Sequence, residues 1–301
     1  MNKVILIFLD GVGIGKTDEV NNPFFKFNFR TFTEIFGDIP SLSNSNIDCK
    51  DKFIFPTDTI MGVMELPQSG TGQTSIFCGI NSQKFLGKHF GPFPHSSLHK
   101  FIKSDNIFLD ALKKNKKPFF ANAYPQIYFD YLEKGYSRVS VPTLCCLYSG
   151  MPLNKYENLL KGEALSPEID NHRWVSKLKY KLPILSPEQA AFNLLLMVEK
   201  YDLVLYEYFF TDYLGHGRLK DDFKNFFNSL DLFLSAVLSN YDKNTTILIF
   251  TDHGNFEDLS LKTHTLNPGL TISAGYMAEK ISKSIKDISQ IKSFITNELF
   301  S

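Results

Sequence analysis

Six side chains in this sequence have the types and the spacing to hold divalent metal ions. Asp10 ends the apolar run Val4–Leu9. Asp212 and His216 stand four apart in TDYLGH, so one helical turn puts both on the same face. Asp252 and His253 are adjacent in TDHGN, and His264 follows in KTHTLNP. Carboxylates and neutral imidazoles are the ligands that an ion such as zinc takes at about 2.0–2.2 Å. Neighbouring side chains diverge in regular structure, so Asp252 and His253 serve one ion only if the chain turns sharply there. Otherwise they serve two. Two ions about 3.5–4 Å apart can clamp the attacking and leaving oxygens of a phosphoryl transfer. Each piece alone is commonplace, a surface pair or a turn. The full set, placed at or just after the ends of apolar runs, is not. His89, His95, His99 and His172 lie outside the pattern and read as surface or lid residues.

A reacting hydroxyl has a candidate stretch in LPQSGTGQTSIFCGIN, residues 66–81, where small and hydroxyl residues turn apolar. A helix starting there would offer free backbone N–H groups to an anion, and a hydroxyl at its start can act as a metal-activated nucleophile. The competing phosphate loop, LDGVGIGKT, fails on spacing. A P-loop needs four residues between its two glycines, and Gly11 and Gly15 have three. The dinucleotide fingerprint fails as well, because Lys16 stands where its third glycine belongs.

The elements that must position these residues alternate along the chain. Strand-like runs occur at Val4–Leu9, Pro118–Ala123, Asp202–Tyr208 and Thr245–Phe250. Helical patterns occur at 106–115, from Ser186 onward, at 223–238 and at the C-terminus. Ser186 reads as an N-cap with Pro187 at the first helical position and Gln189 completing a capping box. Such alternation implies α/β architecture, a mainly parallel sheet with helices on both faces. The carboxyl ends of parallel strands converge on one edge, where ligands bind. Residues 126–185 break the rhythm and read as a short inserted lid, with 1–125 and 186–301 forming the metal-binding core.

The chain has 301 residues, with 32 Lys plus Arg against 32 Asp plus Glu. Zero net charge without charged blocks argues against nucleic-acid or anionic-membrane partners. Cys49, Cys78, Cys145 and Cys146 form no C-x-x-C pair, which fits a reduced, cytoplasmic setting. No run approaches a membrane span or a signal peptide.

Taken together, FLDGVG, DYLGH, TDHGN and HTLNPG resemble the motifs of the alkaline phosphatase superfamily, in the metalloenzyme branch that holds cofactor-independent phosphoglycerate mutase and phosphopentomutase. The resemblance covers roughly residues 1–80 and 186–301. It implies two metal sites, one of Asp10, the nucleophile, Asp252 and His253, the other of Asp212, His216 and His264. The branch's S-x-x-G-H motif aligns with Ser69-Gly70-Thr71-Gly72-Gln73, with Gln in place of the usual His. This implies Ser69 as nucleophile and metal ligand, with Thr71 as the second choice or a substrate contact. The C/S-x-P-x-R signature of sulfatases is absent. The arginine-rich insertion of the mutase is also missing, since Arg138 and Arg173 are the only arginines of residues 126–185. They and His172 are the candidates for binding a substrate anion.

The expectation is therefore a two-metal phosphoester hydrolase using Mn or Zn, acting on a small phosphorylated substrate through a phosphoserine. The alternatives are a small phosphomutase and a non-catalytic metal- or nucleotide-binding module. Oligomeric state is left open.

Overall fold

A computed structural model describes residues 2–135 and 138–300; Tyr136 and Ser137, in the expected lid, lie outside the described residues. Seven strands form one sheet in the order β2-β3-β7-β6-β1-β5-β4. They are β1 Lys3–Leu9, β2 Ile47–Cys49, β3 Lys52–Thr57, β4 Pro118–Phe120, β5 Leu203–Tyr208, β6 Thr245–Phe250 and β7 Gly269–Gly275. β6, β1, β5 and β4 are mutually parallel, whereas β7 runs antiparallel to β6, β3 to β7, and β2 to β3. Five strands thus share one direction, and the sheet is mostly parallel.

Period-two alternation explains why both faces are covered. In β1, Ile5, Ile7 and Leu9 join one apolar core, and Val4, Leu6 and Phe8 join the other. The first core is closed by helices Pro187–Met197 and Phe223–Asn240. The second is closed by helices Ser69–Cys78, Ile107–Lys113, Val141–Tyr148 and Gln290–Phe294.

Local signals place most elements. Ser186 accepts from the Gln189 N–H at 3.2 Å, so the N-cap forms. The capping box does not, because the Gln189 side chain turns away to Asn193 at 3.0 Å. The strand expected over Pro118–Ala123 ends at Phe120. Asn122 and Ala123 instead form isolated bridges to Leu165 and Asn154.

Those bridges show how residues 126–185 attach. The segment contains four short helices, Gln126–Glu133, Val141–Tyr148, Tyr156–Leu160 and His172–Ser176. Val141, Leu144, Cys145 and Cys146 belong to the core under β1, and Leu165 and Ile169 to the opposite one. Much of the expected lid is therefore packed against the sheet. Its helices, at five to eight residues, are too short to show a clean 3.6-residue period.

Candidate active site

Because β6, β1 and β5 are parallel neighbours, Asp252, Asp10 and the helix Phe210–Gly215 that follows β5 emerge at one sheet edge. β3 points the same way, and the chain beyond it reaches the edge at helix Ser69–Cys78. His264 lies between β6 and the antiparallel β7, which starts at that edge. All seven side chains expected at the metals thus meet in one place. Gly11 makes the turn after β1 at φ 72°, and a Cβ there would stand 3.0 Å from Asp212 Oδ1.

Asp10, Asp252 and His253 each present a ligand atom within 4.8 Å of the others, as do Asp212, His253 and His264. His253 Nε2 lies 3.3 Å from Asp10 Oδ1 and 3.6 Å from Asp252 Oδ2. His216 Nε2 lies 3.3 Å from Asp212 Oδ1 and 3.2 Å from His264 Nε2, so it faces the second group. The rings of His253 and His264 stack at 3.7 Å and link the two groups.

The histidines are aimed by the backbone. His216 Nδ1 faces Lys262 O at 2.8 Å, His264 Nδ1 faces Pro67 O at 2.6 Å, and His253 Nδ1 faces Gly254 O at 3.3 Å. A carbonyl partner requires Nδ1–H, which turns each Nε2 into the site, where it donates to a carboxylate when protonated and would bind an ion when not.

Ser69 is the first residue of its helix, and its Oγ lies 3.0 Å from His253 Nε2. Thr71 is turned elsewhere. Its hydroxyl donates to Gln68 O at 3.0 Å and accepts from Phe90 N at 3.2 Å, so it tethers a loop and does not line the cavity. The Thr71 and Gly72 N–H groups are also taken, by Phe90 O and Gln68 O. The helix start therefore offers an anion only the Ser69 and Gly70 N–H groups, fewer than a free helix end presents.

The charges explain what the site is built for. Burial, then repulsion from Asp252 and Asp212, pushes the Asp10 carboxyl well above its usual range. Its Oδ1 is buried and accepts no hydrogen bond. Burial would also raise Asp212, but hydrogen bonds from His216 and His264 hold it far below the usual carboxylate range. Four acids, counting Glu207, crowd one edge without a lysine or arginine among them. Buried like charges need a compensating cation. An orphaned carboxylate oxygen, clustered acids and converging imidazole Nε2 atoms fit divalent ions.

Three contributors escaped the sequence reading. Gln73, at the position of the resembled motif's His, donates to Asp10 Oδ2 at 3.3 Å and to Asp252 Oδ2 at 3.4 Å. Glu207 lines the cavity on β5, accepts from Ser140 Oγ at 3.2 Å, and is pushed by burial up to about 8. Asn255 Nδ2 donates to Asp212 Oδ1 at 2.7 Å. The TDHGN and S-x-x-G-H alignments pointed at Asn255 and Gln73, whereas Glu207 in the run LVLYEY carried only one signal, an acid in an otherwise apolar strand.

The site opens into a cavity of about 850 Å³ whose outer wall includes Phe93, Tyr128, Tyr213, Arg138, Arg218 and Lys262. His172 and Arg173 do not line it. Arg173 pairs with Asp222 at 3.7 Å and lies over the Phe210 ring, so it is engaged elsewhere. Of the three anion-binding candidates, Arg138 alone reaches the cavity.

Comparison with known proteins adds the following. Residues 179–295 match the family model of the Metalloenzyme superfamily. That span holds Asp212, His216, Asp252, His253 and His264, but not Asp10 or Ser69. A search of curated proteins returned no match. Among solved structures, the PH0037 protein from Pyrococcus horikoshii aligns at 13% identity and TM-score 0.56, covering 99% of this chain and 96% of that one. A mutant TAB5 alkaline phosphatase with Mg bound in its M3 site aligns at 12% identity and TM-score 0.57, covering 98% and 97%. The alkaline phosphatase from the Antarctic bacterium TAB5 aligns at 12% identity and TM-score 0.52, covering 99% and 98%. The fold is alkaline-phosphatase-like, and with the family match it is consistent with the alkaline phosphatase superfamily. Among the described residues no helix is long and apolar enough to cross a membrane.

Proposed function

We propose that this chain is a two-metal-dependent phosphoester hydrolase that acts through a phosphoserine at Ser69. The observation that carries the reading is the Ser69 hydroxyl at a helix start, 3.0 Å from His253 Nε2, at the edge of a buried acid and histidine cluster. Asp10, Ser69, Asp252 and His253 would hold one ion, and Asp212, His216 and His264 the other. When bound, two such ions would supply positive charge that favours the serine alkoxide and neutralises the phosphoryl oxygens.

The chain's own groups do the rest. Ser69 Oγ forms a bond to phosphorus as the ester P–O bond breaks, and the proton lost by the Ser69 hydroxyl passes through water to the leaving oxygen. Ser69 and Gly70 N–H groups help to hold the phosphoryl oxygens. Gln73 keeps the Asp10 and Asp252 carboxylates apart and oriented. Water then attacks phosphorus, the Ser69 Oγ–P bond breaks, and phosphate leaves. Tyr213, Arg138, Arg218 and Lys262 are exposed at the cavity mouth, so bulk water reaches the phosphoserine. That access favours hydrolysis over a phosphomutase, which must shield the phosphorylated enzyme while its substrate turns.

Mn and Zn both suit the oxygen and nitrogen ligands. A small phosphorylated substrate fits the cavity, the balanced charge supports neither nucleic-acid nor membrane partners, and the four free cysteines support a cytoplasmic setting. Mass spectrometry after brief exposure to a phosphate ester tests the reading. Phosphate should appear on Ser69 and be absent from Ser69→Ala. Turnover with no trapped phosphate would replace the phosphoserine by direct attack of water.

A further inference from the structure

Glu257 plays no part in either ligand group, yet it is 1% exposed and sits behind both. Its Oε2 accepts from Gly13 N at 2.8 Å and from Asn255 N at 2.8 Å. Its Oε1 accepts from Asn267 Nδ2 at 3.0 Å and from the Thr265 hydroxyl. The first donor belongs to the turn that follows Asp10. The second belongs to the turn that follows His253. The last two follow His264 in the chain. One carboxylate thus joins three loops, which between them carry Asp10, Asp252 and His253 of one metal group and His264 of the other.

The glycines show that the fit is tight. A Cβ on Gly13 would stand 2.5 Å from Glu257 Oε1, and a Cβ on Gly254 would also collide with that oxygen. Charge-assisted hydrogen bonds of this kind are about twice as strong as neutral ones. A buried carboxylate with four donors and, among the described residues, no ion-pair partner holds position through those donors.

We propose that Glu257 is a positioning residue that sets the spacing between the two metal groups, so that its loss weakens both ions together. This rests on the two-metal reading above. A substitution in either ligand group acts mainly on its own ion, whereas Glu257 acts through loops of both. Groups that orient ligands typically contribute about 10–100-fold to metal affinity.

The test is titration of metal-free protein with Mn²⁺ and Zn²⁺, with the melting temperature followed in parallel. Wild type should bind two ions and His264→Ala should weaken one of them. Glu257→Ala should weaken both by about 10–100-fold while retaining a cooperative melt. Glu257→Gln should recover part of the affinity. Its remaining oxygen can serve Gly13 and Asn255, and Thr265 and Asn267 can rotate to accept from its amide. A brace that contributed stability alone would lower the melting temperature and leave both affinities unchanged, and that result in folded Glu257→Ala overturns the proposal. If Glu257→Ala does not fold, Thr265→Val decides. It removes one donor and should weaken the His264 ion, and unchanged affinity there overturns the proposal too. Failure of the wild type to bind any ion would instead refute the two-metal reading, and this inference with it.

Discussion

Asp231 and Asp10 are both buried aspartates, and their surroundings are opposite. Asp231 accepts from Arg30 N at 3.0 Å, Thr31 N at 2.8 Å and the Thr31 hydroxyl at 2.7 Å. Glu257 is served in the same way by four donors. At the sheet edge, Asp10 accepts one hydrogen bond, from Gln73 at 3.3 Å, has His253 Nε2 at 3.3 Å from its other oxygen, and is repelled by Asp252, Asp212 and Glu207. Burial alone does not mark a working acid. A brace has its donors in place, so its charge is satisfied by the protein. Asp10 is left short of donors, and on the two-metal reading the missing partner is a cation. The acid-rich edge is therefore unstable on its own terms, which is how functional sites depart from the local consistency of the remaining fold.

The largest expected effect follows from that shortage. Asp10→Asn removes a charge that its neighbours repel, so the metal-free protein should melt at a higher temperature than wild type. The sign follows from the raised carboxyl. A group whose folded pKa lies above its unfolded value loses native stability as pH rises through that range, and Asn removes the loss. Metal binding and turnover should meanwhile fall by at least about 10²-fold. If Asp10→Asn lowers the melting temperature of the metal-free protein, Asp10 is a brace like Asp231 and the contrast fails.

The same contrast explains what could be read in the chain. The strands β1, β5 and β6 and their terminal acids were legible because period-two apolar runs and strand-end chemistry are local patterns. So were the long helix Phe223–Asn240 and the Ser186 cap. The antiparallel side of the sheet was not, since β2 and β7 carry no signal of their direction. Nor was the packing of Val141–Cys146 against β1, which depends on contacts more than a hundred residues apart. Thr71 could not be told from Ser69 by composition. The backbone at Phe90 separates them, by occupying one hydroxyl and leaving the other free to face His253.

The outer wall of the cavity provides the next, smaller effect. Arg218 follows His216 and Lys262 precedes His264 by two residues, and both line the cavity. They are absent from the ion pairs of the described residues. Replacing both by Ala should raise KM about tenfold, the value of one charge-assisted hydrogen bond, with kcat little changed. His172→Ala and Arg173→Ala should leave KM for the same ester where it was. A KM effect confined to the second pair would return substrate recognition to residues 172–173 and away from the wall.

The smallest effect concerns a buried acid between the two kinds. Glu168 Oε1 accepts from Arg173 N at 2.7 Å and Trp174 N at 3.0 Å, capping a short helix, while its Oε2 is buried with no partner. Burial pushes its carboxyl up to about 7 from the ordinary 4.5. The folded protein thus binds a proton on Glu168 more tightly than the unfolded chain does. Between about pH 4.5 and 7 the native state carries more protons, so stability falls as pH rises through that window and levels off above it. The shift sets the size of the loss at about 3 kcal/mol. Glu168→Gln keeps the oxygen that caps the helix and removes the titration. From pH 5 to 8 the melting temperature of Glu168→Gln should rise relative to that of wild type, because only wild type carries this loss. Other acids titrate alike in both, so the difference between the curves isolates Glu168. Activity at saturating metal should not change, since Glu168 lies outside the cavity. A difference that is flat with pH would mean that Glu168 is ionised throughout, a brace as fully satisfied as Asp231.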